Sequence, residues 1–336
     1  MQDVKINGVT YRDVYQIRVP KANGTGDAVY QDASDLVSPL DIAGIFAGTV
    51  TEIDDINHEV TGAVSSRVLN NNDTLLSLVL PVATSVGSEA ARYCDNLRYV
   101  KMDSCVSVGY RGFRECPRLE EVDFPAATSL GESAFESCSG LTTCNFPLVT
   151  SVGSYAFSGC NHLVSLSLPS CKTLNYQAFN GCSLLETLSI PEVTTLNGYV
   201  FNGCAKLTSV SFPKVTTLNA DYVFYGCYMP NIELPLVTSL RYRAFRDATR
   251  VVSVTAPKAT YVGAEAFMNA TSLTTLVLSN EDGVATLDNV NAFSNTPIAN
   301  GTGYIYVPTA LVDNYKAANK WSTYEAQIKS IEELPS

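Results

Sequence analysis

One spacing recurs along most of the sequence and constrains the fold more than any other feature. Segments related to Leu-x-x-Leu-x-Leu-Pro begin at ten positions that lie 22 residues apart: Leu75, Leu97, Leu119, Leu141, Leu163, Leu185, Leu207, Met229, Val251 and Leu273. We number the positions of each repeat as slots, with its first residue at slot 0. A fixed period of this length is typical of solenoids, in which each repeat forms one coil and the stacked coils bury a continuous core.

Each repeat carries the same order of apolar and turn-forming residues. Apolar slots 3 and 5 predict a short strand with one face inward, and the proline common at slot 6 should end it. Apolar slots 8 and 11 predict a second extended segment. From the first repeat to the ninth, slot 12 holds glycine or asparagine, except for Arg241 in the eighth. Because glycine and asparagine tolerate a positive φ, we predict a left-handed turn at slot 12, with mild strain at Arg241.

The last part of the repeat reads Ala-Phe-x-x-Cys at slots 15, 16 and 19, as at Ala134, Phe135 and Cys138. This spacing predicts that the three side chains share one side of a single helical turn. One coil cannot bury its inward side chains alone, but ten stacked coils can.

The complete repeat, Leu-x-x-Leu-x-Leu-Pro-x-Val-Thr-Ser-Leu-Gly-x-x-Ala-Phe-x-x-Cys, resembles the BspA-type leucine-rich repeats of bacteria. The resemblance covers Leu75 to about Ile298. It implies a leucine-rich repeat solenoid that is used for adhesion or protein recognition, and it does not imply an enzyme. We therefore expect ten coils with short parallel strands, a mostly β structure with short helical turns, and a helical C-terminal cap.

The ten cysteines follow the repeat, which argues against a disulfide framework. Later repeats fill the main cysteine slot with Ala248 and Ala270, so this slot requires a small apolar residue and not a bridge. We expect all ten to be buried free thiols, which fits folding in a reducing compartment. Because the chain has only two histidines and no Cys-x-x-Cys pair, we expect no metal site and no cofactor. The slot-19 cysteines are Cys94, Cys116, Cys138, Cys160, Cys182, Cys204 and Cys227.

The N-terminal 74 residues differ from the repeats. Residues 1–36 are predicted as a short β-rich attachment module, with strands near residues 4–6, 14–19 and 27–30 and turns at Asn7-Gly8 and Asn23-Gly24. The stretch from Ile6 to Tyr11 and on to Val19-Pro20 resembles short N-terminal modules of tailed-phage structural proteins. That resemblance implies attachment to a larger virion assembly. A segment this short gains a core by association, so we also consider a homo-oligomer formed through it.

Three further segments complete the predicted organisation. Residues 37–74 are a connector and N-terminal cap, in which residues 42–46 cover the first coil. Residues 75–298 are the solenoid. Residues 299–336 are a C-terminal cap made of a strand and a helix, the helix running from residue 310 to about 327 with Thr309 as its N-cap.

The charge balance limits the partners. The formal net charge is −11, from 22 basic and 33 acidic side chains. This balance argues against nucleic acid and against anionic membranes as partners, and no apolar run approaches the ~20 residues of a membrane span. The first residues do not form a signal peptide. We therefore expect a virion or phage-like particle, made in the host cytoplasm, as the location, and a bacterial cell surface as the alternative.

Slots 13 and 14 carry the tyrosines among the candidate ligand-binding residues. They lie between the predicted turn and the buried Ala-Phe pair, so their side chains should face outward. Tyrosine is enriched at recognition surfaces and can stack on sugar rings. The alternative is that the rings stack on one another and cover the turns. Three arginines of the eighth repeat could pair with Asp221 and Asp247 or bind an anionic glycan or an acidic partner. The candidates are Tyr110, Tyr155, Tyr176, Tyr199, Tyr222, Tyr242, Arg241, Arg243 and Arg246.

No Ser-His-Asp, Cys-His or phosphate-loop arrangement occurs in the sequence, so we expect no enzyme. The predicted function is a binding or adhesion solenoid, displayed on a phage or phage-like particle, that recognises a host-surface glycan or protein. Two alternatives remain: a bacterial surface adhesin with the same repeats, and a purely structural decoration protein of a virion.

Overall fold

The structure is a computed structural model that describes residues 62–335 and the backbone of five preceding strands. These strands are β1 (Val4–Ile6), β2 (Val9–Tyr11), β3 (Asp13–Pro20), β4 (Asp27–Ala33) and β5 (Glu52–Asp54). They include the three strands predicted near the N-terminus. The predicted turns at Asn7-Gly8 and Asn23-Gly24 and the predicted cap at residues 42–46 lie outside the described residues. The chain divides into two compact units, Met1–Leu168 and Pro169–Ser336, which are described in turn.

The first unit is a β-solenoid in which each coil supplies two short strands. The strands at slots 2–4 are β7 (Ser77–Val79), β9 (Tyr99–Lys101), β11 (Glu121–Asp123), β13 (Thr143–Asn145) and β15 (Ser165–Ser167). The second strands, around slots 8–11, are β6 (Gly62–Val64), β8 (Ala83–Val86), β10 (Ser107–Val108), β12 (Ser129–Leu130) and β14 (Ser151–Val152). Neighbouring coils pair in parallel one repeat apart, as Val122 does with Cys144. The predicted strands and their parallel stacking are confirmed.

Parallel pairing begins before Leu75. Strand β5 pairs with β7, and β6 pairs with β8, so one further coil lies inside the segment predicted as a connector. Strand β3 pairs antiparallel with β5, and β4 pairs antiparallel with β3. The sheet of the first unit therefore ends in an antiparallel hairpin. The first strand of this coil was missed because β5 lies 25 residues before its partner β7, whereas β6 keeps the 22-residue period, with Val64 paired to Val86.

The second unit repeats this architecture. Its strands at slots 2–4 and their continuation are β17 (Thr187–Ser189), β20 (Asn231–Glu233), β22 (Ser253–Thr255), β24 (Thr275–Val277), β26 (Tyr304–Val307) and β27 (Ile328–Ser330). Its second strands are β16 (Thr173–Leu174), β18 (Thr195–Leu196), β19 (Thr217–Leu218), β21 (Ser239–Leu240), β23 (Tyr261–Val262) and β25 (Thr286–Leu287). Short 3-10 helices occur at Val290–Phe293, Thr309–Leu311, Trp321–Gln327 and Ile331–Glu333, and one α-helix, α1, spans Val312–Ala317.

The core is built from the slots predicted to face inward. Slot-16 phenylalanines stack along each unit, with ring centroids 5.5 Å apart for Phe113 and Phe135 and 4.9 Å apart for Phe245 and Phe267. Both pairs are fully buried. Burying a side chain of this size contributes roughly 1.5–3 kcal/mol, so the stack is a major source of stability.

The Ala-Phe-x-x-Cys segment forms successive turns in place of a helical turn. In the third repeat, the N–H groups of Glu136 and Cys138 donate within the coil, to the carbonyls of Ser133 and Phe135. The N–H groups of Phe135 and Ser137 donate instead to carbonyls of the next coil. Ser133 and Ser137 have left-handed backbones with φ of 57° and 60°. Alternate backbone N–H groups thus find acceptors in their own coil and in the next coil. A helical turn would direct all of these hydrogen bonds within its own coil.

The predicted left-handed residue at slot 12 is wrong. The left-handed residues are at slots 14 and 18, and Arg241 does not have a positive φ. The glycines found at slot 12 have a different role, because they allow the close approach of two backbones. A Cβ atom on Gly153 would lie 2.5 Å from the carbonyl carbon and oxygen of Gly131 in the preceding coil. The predicted strain at Arg241 therefore has no basis.

The asparagines at slot 12 of the second unit act differently from the glycines. Asn197 donates through its side chain to the carbonyl of Leu174 at 3.0 Å, and Asn219 donates to the side-chain oxygen of Asn197 at 3.0 Å. These bonds run from coil to coil along the solenoid. Arg241 occupies the next place in this row.

All ten cysteines are free thiols, as predicted. Nine are buried and Cys144 is half-buried. Several thiols of slot 19 donate to a backbone carbonyl of the preceding coil.

The C-terminal cap covers the last coil with aromatic residues that also carry polar groups. Trp321 donates through Nε1 to the carbonyl of Ala285 at 2.6 Å, and the Ala285 N–H donates to the Tyr315 hydroxyl at 3.0 Å. The edge of the last coil is thereby both covered and hydrogen-bonded. The predicted single helix to residue 327 is interrupted, because Ala318 is extended and Lys320 has a φ of 67°. Thr309 is not an N-cap, since its hydroxyl bonds to that of Ser330.

Candidate functional site

The candidate tyrosines occupy two adjacent slots. Tyr155, Tyr199 and Tyr222 hold the left-handed position, with φ of 58°, 57° and 61°, and are half-buried. Tyr110 and Tyr242 precede such a residue and are each 38% exposed. Tyr176, at the same slot, is 37% exposed. All six side chains were predicted to face outward, and those at slot 13 are the most exposed.

Four tyrosines of the second unit form one packed group, which we call the tyrosine cluster: Tyr176, Tyr199, Tyr222 and Tyr225. The ring of Tyr199 lies 5.6 Å from that of Tyr176, 5.0 Å from that of Tyr222 and 5.2 Å from that of Tyr225, centroid to centroid. Burial raises the pKa of Tyr199, and the neighbouring tyrosines raise it further. The rings therefore stack on one another, as one of the two predicted explanations requires, and still leave Tyr176 exposed.

Two of the three predicted arginines are held by a carboxylate that the sequence analysis did not select. Arg243 donates through Nε to Glu265 at 2.7 Å, and Arg246 also pairs with Glu265. The hydrogen bond from Arg243 holds the pKa of Glu265 below its ordinary value of 4.5. Arg246 also pairs with Asp247 at 3.4 Å, as predicted. Asp221, the other predicted partner, forms no ion pair among the described residues.

Arg243 joins the tyrosine cluster to its neighbour Tyr242. Its guanidinium carbon lies 4.4 Å from the ring centroid of Tyr242 and 5.7 Å from that of Tyr222. A guanidinium group within about 6 Å of an aromatic face is attracted by the ring. The pairing with Glu265 fixes this guanidinium in place. We call the tyrosine cluster together with Tyr242, Arg241 and Arg243 the tyrosine–arginine surface.

A cleft opens beside this surface, between the seventh and eighth coils. Its volume is about 560 Å³. Arg241 is exposed and forms no ion pair among the described residues. Burial and then Asp288 raise the pKa of Tyr261, whereas the charge of Arg241 lowers it, which places Arg241 close to that ring. The cleft is lined by Thr216, Thr217, Leu218, Thr238, Ser239, Arg241, Tyr242 and Tyr261.

Tyr110 and Tyr155 belong to the first unit. Arg111 lies over the ring of Tyr110 at 4.5 Å. This part of the chain neutralises its own charge, because Arg67, Arg92 and Arg111 all pair with Glu89, at 2.6, 3.2 and 3.7 Å. The arginines near Tyr110 are thereby engaged within the protein.

Three residues of the site were missed by the sequence analysis. Tyr225 was hidden by the inserted residue that precedes Phe224 in the seventh repeat. Tyr261 stands at slot 10, where the other aligned repeats have serine or threonine, so this exception could have been noticed. Glu265 gives no such signal, because its contacts with Arg243 and Arg246 join different coils.

The cysteines do not provide a nucleophile. Burial raises the pKa of Cys204 and of Cys227 to about 12, and that of Cys105 to about 11. A thiol with so high a pKa is protonated and unreactive at neutral pH. Among the described residues, no group of three or more His, Cys, Asp and Glu side chains is arranged to hold a metal ion. None of the helices in that part of the chain combines the length and apolar character needed to span a membrane.

Comparison with solved structures finds similarity to several leucine-rich repeat proteins. One is the T. pallidum leucine-rich repeat protein, with 28% identity, 44% of this chain and 72% of that chain covered, and a TM-score of 0.41. A second is a leucine-rich repeat protein from Bacteroides ovatus, with 17% identity, coverage of 84% and 94%, and a TM-score of 0.49. A third is a leucine-rich cell surface protein from Faecalibacterium prausnitzii, with 19% identity, coverage of 84% and 83%, and a TM-score of 0.41.

None of the curated proteins matches the sequence. The family model described as "BspA type Leucine rich repeat region (6 copies)" matches residues 63–186 and 172–300, which is more than half of the chain. Proteins with these repeats are generally binding scaffolds rather than enzymes. The chain belongs to the BspA-type leucine-rich repeat family.

Proposed function

We propose that this chain is a non-enzymatic binding protein that recognises a glycan or protein on a host cell surface through its tyrosine–arginine surface. One observation carries the proposal. The packed rings of the tyrosine cluster continue, through Arg243, into the exposed ring of Tyr242. Aromatic side chains supported in this way offer a large contact area with little loss of conformational entropy on binding.

The same packing has a simpler explanation, in which the rings only cover the turns beneath them. Two features favour recognition. Tyr176 and Tyr242 are more than a third exposed, and Arg241 is a charged group without an ion-pair partner among the described residues. Tyrosine and arginine are the residue types enriched at the centre of protein interfaces.

The proposed location is a phage or phage-like particle assembled in the host cytoplasm. The ten free thiols support this, because a reducing compartment keeps such thiols unpaired. We propose that residues 1–36 attach the chain to the particle, and that they also allow association of several copies. The association is tested by measuring the mass in solution with and without these residues, which gives the number of copies that associate. The same number of copies in both cases would overturn it.

Family membership favours an alternative location, a bacterial cell surface, and a purely structural role in a virion is the third candidate. Fractionation of the cells that produce the protein distinguishes these three candidate roles. Release in particles that bind cells supports the proposal. Recovery with the cell envelope supports the adhesin, and particles that incorporate the protein but bind no cells support the structural role.

The first experiment on function is binding of the labelled protein to a panel of bacterial cells and isolated envelope glycans. The test variant carries Tyr176→Ser and Tyr199→Ser. Serine is compatible with both slots, since Ser154 occupies slot 13 and Ser133 has the left-handed backbone of slot 14. The fold should therefore be retained, which circular dichroism and the unfolding midpoint will show.

The matched control is Tyr228→Ser, which removes a half-buried tyrosine of the same unit that contacts Arg250 and lies outside the tyrosine–arginine surface. We expect selective binding by the native protein and by the control, and a loss of about tenfold or more in the test variant. Equal binding by the native protein, the test variant and the control would show that the binding site does not lie on the tyrosine–arginine surface. Absence of binding to every envelope would overturn the proposed function.

A further inference from the structure

The cleft beside Tyr242 lies where the coil-to-coil hydrogen bonding is interrupted. Strands β16, β18 and β19 pair in register, and β21, β23 and β25 form a separate three-stranded sheet. On either side, the slot-9 N–H donates to the previous coil, as Thr216 does to Thr194 at 3.0 Å and Thr260 to Thr238 at 2.8 Å. No corresponding bond leads from Thr238 to Thr216 within the described part of the chain.

The sequence contains the cause of this interruption. The seventh repeat has one extra residue between Asn219 and Phe224. The repeat as a whole still spans 22 residues, so the extra residue moves Phe224 by one position relative to β19, and the strand and the phenylalanine cannot both keep register with the next coil. The phenylalanine keeps its place, with the rings of Phe224 and Phe245 4.6 Å apart, so the strands separate. Residues 208–212 of the same coil also form no strand.

The separation exposes a particular set of groups. The hydroxyls of Thr238 and Ser239 make no hydrogen bond within the described part of the chain. The aromatic rings of Tyr242 and Tyr261 and the guanidinium group of Arg241 complete the lining. A lining rich in hydroxyl groups suits a polyhydroxylated ligand, the rings suit the apolar face of a sugar, and a guanidinium group suits a carboxylate.

We propose that this cleft binds one carboxylate-bearing pyranose of an acidic oligosaccharide. Arg241 pairs with the carboxylate, Tyr242 and Tyr261 contact the sugar ring, and Thr238 and Ser239 hydrogen-bond to its hydroxyls. The volume of about 560 Å³ falls within the range of ligand sites, roughly 300–1,000 Å³. The proposal rests on the proposed function and assigns its ligand class.

The charge around the cleft makes Arg241 the group that selects the ligand. Arg243 and Arg246 are already neutralised by Glu265 and Asp247. Asp288 also acts on Tyr261, and its carboxylate would repel an anion. An acidic sugar is therefore bound on the Arg241 side of the cleft.

The test is calorimetric titration of the full chain with short uronic-acid and sialic-acid oligosaccharides, each beside its methyl ester. The ester retains the sugar and removes the charge. The variants are Arg241→Gln and Tyr242→Ser, and the matched control is Arg250→Gln, which removes an exposed positive charge outside the cleft. Arg241 is exposed, so we expect Arg241→Gln to fold, and its unfolding midpoint provides the check.

We expect at least one acidic oligosaccharide to bind, its ester to bind about tenfold more weakly, and Arg241→Gln to lose about the same factor, as for one charge-assisted contact. Arg250→Gln should bind as the native protein does. Equal binding of acid and ester, unchanged binding by Arg241→Gln, or binding of acidic peptides instead of sugars would overturn the assignment. If cells are bound but no acidic sugar is, the cleft assignment fails and the proposed function stands. If neither is bound, both fail.

Discussion

The thiol of Cys138 donates a hydrogen bond to the backbone carbonyl of Phe113, with Sγ 3.0 Å from the oxygen. The same bond joins Cys116 to Ala91 at 3.1 Å and Cys204 to Phe179 at 3.1 Å, always across 25 residues. It explains why a slot that only needs a small apolar residue so often holds cysteine. The thiol satisfies a buried carbonyl of the preceding coil, which alanine leaves without this donor.

Replacing this thiol should weaken the stack of coils. We expect Cys138→Ala to lower the free energy of unfolding by about 1–2 kcal/mol, because a buried carbonyl loses its donor and a small cavity forms. Urea unfolding followed by circular dichroism measures the change. The control is Cys144→Ala, since the Cys144 thiol makes no hydrogen bond among the described residues. Equal losses in the two variants would show that packing alone explains the cysteine.

The buried thiols should resist chemical modification until the protein unfolds. Burial raises the pKa of Cys204 to about 12 from an ordinary 9.0, so the reactive thiolate is absent at neutral pH. Treatment with a maleimide, followed by measurement of the intact mass, should show no labelling of the native protein at the slot-19 cysteines and full labelling in denaturant. Rapid labelling of the folded protein would contradict the burial of the slot-19 thiols.

These thiols also predict a loss of stability in alkali. A pKa that is raised on folding means that the folded state holds its proton more tightly, so the stabilisation is complete below pH 9.0 and decreases as the pH rises toward about 12. The free energy of unfolding should therefore fall above pH 9. A variant with Cys204→Ala and Cys227→Ala should show a smaller fall than the native chain.

Glu89 should make the first unit sensitive to acid. The hydrogen bond from Arg67 is the main cause of its lowered pKa, and the carboxylate also pairs with Arg92 and Arg111. A lowered pKa gives stability that is present above the ordinary value of 4.5 and is lost as the pH falls through the lowered value. Glu89→Gln should unfold at lower urea than the native protein at neutral pH, and the difference should shrink as the pH falls below 4.5.

Glutamine is a suitable replacement because Gln177 has the same left-handed backbone, with a φ of 54° against 55° for Glu89. The control is Glu120→Gln, whose partner Arg98 is 55% exposed in its side chain, like Glu120 itself. An exposed pair of this kind contributes little. A pH-independent effect of Glu89→Gln would show that shape and not charge is responsible.

Slot 12 should tolerate a change at Arg241 and not at Gly153. Gly153→Ala places a Cβ atom 2.5 Å from the Gly131 backbone, so we expect a loss of about 1–3 kcal/mol from overpacking. Arg241→Gly should be neutral or slightly destabilising, because Arg241 has an ordinary backbone and glycine adds flexibility to the unfolded chain. The urea midpoint of unfolding of each variant, compared with that of the native protein, tests both predictions. A stabilised Arg241→Gly would restore the left-handed turn that we predicted and the structure does not have.

The fold class, the strands, the inward slots and the free thiols could be predicted from the sequence, because a 22-residue period repeats the same local preferences in every coil. Features that depend on contacts between coils could not be predicted in this way and are found only in the folded structure. It placed the left-handed residues at slots 14 and 18, replaced the expected helical turn, and paired Arg243 and Arg246 with Glu265. It also opened the cleft at the seventh coil. A period shows what each coil repeats, whereas the distance between two backbones and the break made by one extra residue appear only once the coils are stacked.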